Sequence, residues 1–290
     1  MAASLDRGAF FAAARLNPFP GHLTPGQVSG MEAILDACPP DLPTDFLAYC
    51  LGTCPIETGW TMLPIKELGG VTYYTRMYDI RGSRPAKARE LGNLTPGDGA
   101  KFCGRGLVQL TGRSNYAKAT MRLSALGYLL PGQDLTQTPD LAMHPDVAAP
   151  ICFTGQKEGW FTGKRLSDYF GPGRADWKGA RRIINGQDRA GEIALHAQAF
   201  AAALRKAGHK PGAVITRIPT PPVEVRPLPP PAPTMPPMSG PVPSAATANP
   251  TAAAIDAIAP DPAPPLSAPP YAFKLSAWSR LWAAMTGRTG

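Results

Sequence analysis

Apolar residues recur at helical spacing in several segments of the first 210 positions, and no stretch alternates long enough for the strands of a large sheet. In LTPGQVSGMEAILDACPP, Val28, Met31 and Leu35 form an apolar stripe behind a clear start signal. Thr24 is the cap, Pro25 takes the first helical position, and Gln27 stands three residues after the cap. Pro39-Pro40 ends that helix. A second helix begins near Thr44 in PTDFLAYCLGTCPIETGW and runs towards Glu57. Pro55 lacks a backbone N–H and disfavours helical geometry at Cys54, so a kink or an early end is expected at 54–55. Residues 61–105 are rich in Gly, Tyr and Arg with weak periodicity, and LGNLTPGDG reads as turns. GRGLVQLTGRSNYAKATMRL is a glycine-flanked apolar segment leading into a helix, and PDVAAPICFTGQKEGWFTG is helical as far as Gly159 or Gly163. GARRIINGQDRAGEIALHAQAFAAALRKAG divides at Asn185-Gly186 into two short helices. The second is amphipathic and ends at Gly208 with Arg205 and Lys206 in its last turn. The expected fold class is mainly α.

Composition changes the picture after residue 208. Of 35 prolines, 20 fall between residues 211 and 270, and such a segment cannot bury enough surface to offset the entropy of ordering it. Residues 209–270 are therefore expected to be a disordered Pro/Ala-rich linker, an extended spacer. A ligand for a proline-binding domain is the lesser alternative. Residues 271–290, YAFKLSAWSRLWAAMTGRTG, change character again. Wound as a helix they put Tyr271, Leu275, Trp278, Leu281, Trp282 and Met285 on one side, with Lys274, Arg280 and Arg288 as the charges. This cationic amphipathic helix either lies on an anionic membrane surface or docks on a protein; the reach of the spacer favours the membrane.

The net charge is +8, and residues 1–210 hold 24 Lys/Arg against 18 Asp/Glu, mixed together. That balance suits an anionic partner such as a cell-wall polymer or membrane. There is no basic run with interleaved aromatics, so nucleic acid is not expected as a partner. Five cysteines (Cys38, Cys50, Cys54, Cys103, Cys152) make an odd count without framework spacing. Cys50 and Cys54 would share a helix face, but no histidine lies near them, and they read as small buried hydrophobes. No metal or other cofactor is expected. The N-terminus has no apolar core of secretion-signal type, and no apolar run reaches membrane-spanning length. Synthesis in the reduced cytoplasm, without a signal peptide, is expected.

Candidate chemistry concentrates between residues 50 and 120, where Glu57, Glu67, Asp79, Glu90 and Asp98 accompany Gln109, Thr111, Asn115 and Tyr116. Glycoside hydrolysis needs two carboxyl groups in different surroundings, one to donate a proton and one to activate water or attack carbon. Glu57 follows an apolar helix between Ile56 and Trp60, surroundings that raise a carboxyl pKa. Glu67, in a Gly-rich polar loop beside Lys66, should stay ionised, helped by an arginine if one lies near. Spacing alone leaves both open to being ordinary surface charges.

Three ordered blocks add to this: LAYCLGTCPIETGWTMLPIKELGG, LGNLTPGDGAKFCGRGLVQLTGRSNY and RRIINGQD. Together they resemble glycoside hydrolase family 19 and its phage endolysin branch, over roughly residues 10–205. GRGLVQLTGRSNY is the most specific part. The resemblance implies a lysozyme-like, two-lobed helical domain with a substrate cleft, occupying residues 1–208. It also implies inverting cleavage of β-1,4 bonds next to N-acetylated amino sugars, without a metal. Carried over, Glu57 is the general acid and Glu67 the general base, with Glu90 in reserve. Thr111 holds the attacking water, Gln109 and Asn115 are sugar-contacting amides, Tyr116 is an aromatic of the cleft, and Arg182 and Asn185 line the far wall. Gln109 and Asn115 could instead tie their loop to its helix, and Arg182 could make a structural ion pair. Two departures stand out: Ile56 where the family commonly has histidine, and Pro55 beside it. The expected function is a peptidoglycan hydrolase of endolysin, muramidase type, monomeric and acting on the cell wall. The alternatives are a chitinase and a glycan-binding module that has lost catalysis.

Overall fold

A computed structural model describes residues 5–211; the expected linker beyond 211 and the 271–290 helix lie outside the described residues. The described chain is mainly helical. Its α-helices are α1 (Arg7–Leu16), α2 (Pro25–Asp36), α3 (Thr44–Glu57), α4 (Gly70–Tyr78), α5 (Pro85–Glu90), α6 (Asp98–Lys101), α7 (Arg113–Ala125), α8 (Pro145–Glu158) and α9 (Ala190–Lys206). Short 3-10 turns cover Pro139–Met143, Leu166–Asp168 and Gly179–Ile183. Two antiparallel ribbons complete it: β1 (Ile65–Lys66) pairs with β2 (Arg105–Gly106), and β3 (Phe170–Gly171) with β4 (Arg174–Ala175).

α2 starts as its sequence predicts. The Thr24 hydroxyl accepts from the Gln27 N–H at 3.2 Å, and the Gln27 side chain accepts from the Thr24 N–H at 2.9 Å. α3 is buried all round from Leu47 to Pro55, which suits a helix at the centre of a core. It packs on α9 closely enough that a Cβ on Gly52 would stand 2.5 Å from the Ala197 nitrogen. Phe10, Phe19, Trp60 and Phe200 continue that core beside α9.

Of the kink or early end expected at 54–55, the early end does not occur, for α3 runs through Pro55 to Glu57. Pro55 sits two residues from the helix end, so its missing N–H costs one bond near the terminus rather than in mid-helix. Beside it, Cys54 O accepts from both the Thr58 N–H and hydroxyl at 2.9 and 2.7 Å, and Pro55 O accepts from the Trp60 N–H at 2.7 Å. Residues 61–105, where periodicity is weak, hold α4, α5 and α6. These helices have 9, 6 and 4 residues, too short to display a period. Tyr73, Tyr74 and Cys103 form their own small buried cluster, separate from the main core. At the C-terminal end, the segment read as two short helices is a five-residue 3-10 turn followed by the 17-residue α9. α8 stops at Gly159, which adopts φ 76°.

His209 is buried and its Nδ1 lies 2.9 Å from the Thr44 hydroxyl, while Ala207 O accepts from the Asp6 N–H. All five cysteines are buried and unpaired. The Gln156 amide donates to the sulfurs of Cys50 and Cys152 at 3.3 and 3.2 Å, tying α3 to α8.

Candidate active site

Glu57 is the last residue of α3. Its Oε1 accepts from Arg181 Nη1 at 2.6 Å, and the two side chains are 15% and 5% exposed. Arg181 lies in the Gly179–Ile183 turn, and its Nε donates to Asp188 O at 3.1 Å, which holds the guanidinium in place. Glu57 therefore faces a full positive charge rather than the purely apolar setting that Ile56 and Trp60 suggest. The arginine expected near Glu67 stands at Glu57 instead.

Glu67 follows β1 and is only 6% exposed. The ribbon fixes its backbone, with the Glu67 N–H donating to Gly104 O at 2.9 Å. Its side chain is held at both oxygens: Tyr78 donates its hydroxyl proton to Oε1 at 2.6 Å, and the Gly104 N–H donates to Oε2 at 2.9 Å. Burial pushes the Glu67 carboxyl above its ordinary range, and these two donors act against it. Glu67 is thus a buried carboxyl rather than one exposed in a polar loop. Lys66 points to solvent while the neighbouring side chain turns inward, because successive residues of a strand face opposite ways.

Gln109 sits in the left-handed region at φ 55°. Its amide nitrogen donates to Ile65 O and Gly106 O at 3.1 and 3.2 Å, clamping the loop to both strands of the first ribbon. Its Oε1 is left beside Gly104, where a Cβ would stand 2.7 Å from that oxygen and 3.1 Å from Glu67 Oε2. Gln109 and Glu67 therefore converge on one glycine. Thr111 donates its hydroxyl to Gln109 O at 2.8 Å, and Asn115 Nδ2 donates to Thr111 O at 2.9 Å. The loop-to-helix tie left open for the two amides is made by Asn115, whereas Gln109 ties its loop to the ribbon.

Tyr116 is not at the surface of a cleft. It is fully buried, its ring tilted against Phe102 at 5.3 Å; its hydroxyl donates to Cys103 O at 2.8 Å and accepts from Arg105 Nη1 at 3.0 Å. Arg105, from the same GRG segment, is a buried hub that also donates to Lys101 O and to Asp140 Oδ1. Arg182 is exposed, and the ion pair left open for it is made by its neighbour Arg181. Asn185 is exposed, with its Oδ1 accepting from the Gly186 N–H at 2.8 Å. Glu90, the reserve base, is an exposed partner of Lys87. Asp98 fixes its turn by accepting from the Thr95 N–H at 3.1 Å and pairing with Arg113.

Two groupings result: Glu57 with Arg181, and Glu67 with Tyr78, Gly104 and Gln109. Arg181, Tyr78 and Arg105 escape the reading of the sequence. For Tyr78 there was a signal, since Tyr74 and Tyr78 stand four apart in a tyrosine-rich run. Among the described residues no group of three or more His, Cys, Asp or Glu is gathered as a metal would require.

No protein-family model and no curated protein matches this chain. Among solved structures, chitinase C from Streptomyces griseus is 20% identical with a TM-score of 0.40, and the match covers 72% of this chain and 94% of that one. A mutant of chitinase C is likewise 20% identical, with a TM-score of 0.39 and the same coverage.

Proposed function

We propose that the described domain is a glycoside hydrolase that cleaves β-1,4 bonds of an N-acetylated amino-sugar polymer, with Glu57 and Glu67 as its reacting carboxyl groups. The observation that carries this reading is the contrast between the two. One is paired with a buried guanidinium; the other is buried among tyrosine and backbone donors, with its pKa raised by that burial. Two carboxyl groups in unlike surroundings are what acid–base cleavage of a glycosidic bond requires.

The resemblance in the sequence makes Glu57 the proton donor and Glu67 the base that activates water. Under that assignment the donors from Tyr78 and Gly104 offset burial so that Glu67 can carry charge, and Thr111 and Gln109 order the water beside it. Glu57 then gives its proton once bound glycan has loosened the contact to Arg181. The exchanged assignment, Glu67 as donor and Glu57 as base, has its own support in the free protein, where Glu67 is the carboxyl that burial pushes up.

For the substrate, we favour peptidoglycan cut in the manner of a muramidase, since the motif blocks resemble the endolysin branch and the charge balance suits an anionic wall. Purified cell walls and chitin oligomers test this directly. Clearing of wall suspensions by the full chain, a new N-acetylmuramic acid reducing end, and loss of both in Glu57→Gln are expected. Cleavage of chitin oligomers alone would make it a chitinase, and wall binding without any new reducing end would make it a binding module.

A further inference from the structure

The small cluster around Glu67 holds more than a buried carboxyl needs for packing. α4 supplies Tyr73, Tyr74 and Tyr78, and the last two lie one helical turn apart on the same face. Their hydroxyls go to different parts of one residue. Tyr74 donates to the Glu67 backbone carbonyl, whereas Tyr78 donates to the side-chain Oε1 at 2.6 Å. Tyr73 lies against Tyr78, their rings edge to face at 6.3 Å. With the Gly104 N–H on Oε2 at 2.9 Å, each carboxyl oxygen has one fixed donor and keeps a further lone pair for another partner.

We propose that Tyr78 is the positioning residue of Glu67: its hydroxyl and the Gly104 N–H grip one oxygen each, so the carboxyl meets bound glycan in a single orientation. This rests on the hydrolase reading above. Both grips are donated hydrogen bonds, so both favour the charged carboxylate over the acid and oppose the effect of burial. Other titratable or charged groups of the neighbourhood are Tyr73 and Tyr74 on α4, Cys103 and Arg105 at β2, and Lys66 beside Glu67. Tyr78→Phe leaves the charged members of that set in place and keeps the ring. It removes one opponent of burial, so Glu67 must then titrate at higher pH.

The test compares Tyr78→Phe with Tyr74→Phe in the full chain. Tyr78→Phe should shift the Glu67-dependent limb of the kcat/KM profile to higher pH and lower kcat/KM by about ten-fold near pH 6, mainly in kcat, since a hydrogen bond to a charged group is lost. Tyr74→Phe should lower Tm and leave that limb where it was. An unmoved limb in Tyr78→Phe, or equal movement in both variants, would overturn the proposal. A second readout does not need activity: carbon-13 NMR of labelled glutamate, with Glu67 assigned through Glu67→Gln, should show its titration midpoint rising in Tyr78→Phe alone. If the full chain cleaves neither walls nor chitin oligomers, the hydrolase reading fails, yet an unmoved midpoint still refutes control by Tyr78 and a raised one supports it.

Discussion

Glu57 and Glu67 stand ten positions apart in the chain but belong to different kinds of structure. Glu57 closes α3, a helix buried on every side and packed on α9 within the main core. Its partner Arg181 comes from 124 residues away, so their pairing depends on the whole domain being assembled. Glu67 follows a two-residue strand beside a satellite cluster, and its side-chain partners lie within 37 residues. One carboxyl is held by the global fold and by charge; the other is held by local hydrogen bonds. The contrast teaches that substitutions around Glu57 should register first as stability, and substitutions around Glu67 first as rate.

The largest effect expected is that of Arg181→Ala. Removing one member of a buried ion pair leaves the other uncompensated, at a cost of about 3–5 kcal/mol. Urea denaturation should show that loss as a lower midpoint, and a midpoint like that of the wild type would break the comparison. Gly104→Ala should do the reverse. Its Cβ would crowd Gln109 Oε1 at 2.7 Å and Glu67 Oε2 at 3.1 Å. Displacing a reacting group by about 1 Å costs on the order of a hundred-fold in rate. The Tm should change little, and a fall in Tm without a fall in kcat would place Glu67 outside the chemistry.

The smallest effect is a dependence of stability on pH. The folded-state pKa of Glu67 is raised, so its contribution to stability is full below the ordinary glutamate pKa, 4.5, and is lost as pH rises through the raised value. The difference in Tm between Glu67→Gln and the wild type should therefore move in favour of the variant from pH 4 to pH 7.5. A difference independent of pH would mean that burial leaves this carboxyl unperturbed.

Local signals in the sequence were reliable where one short segment decides the outcome. The capping box at Thr24, the stop at Gly159 and the course of α9 towards Gly208 are of that kind. Pro55 misled because local propensity yields to burial: the surroundings of α3 and the extra bonds to Cys54 O and Pro55 O outweigh one missing donor. The helices between 61 and 105 are too short for periodicity to register. Motif blocks single out Glu57 and Glu67 but not the partners that hold them. Arg181 reaches Glu57 only through tertiary structure, and the inward turn of Glu67 depends on strand pairing at Gly104. Tyr116 shows a similar limit, since an aromatic residue in a motif can face a ligand or a core. The buried Arg105, which meets its hydroxyl, settles that it faces the core.

The central claim is that Glu57 and Glu67 are the two reacting carboxyl groups and divide the roles of acid and base. Comparing Glu57→Gln and Glu67→Gln on a natural glycan and on an aryl glycoside with an acidic phenol leaving group tests it most directly, because such a leaving group needs no proton. The account predicts that both variants lose the natural substrate by roughly a thousand-fold, while Glu57→Gln alone recovers on the aryl glycoside. Wild-type rates on the natural glycan in either variant would contradict it.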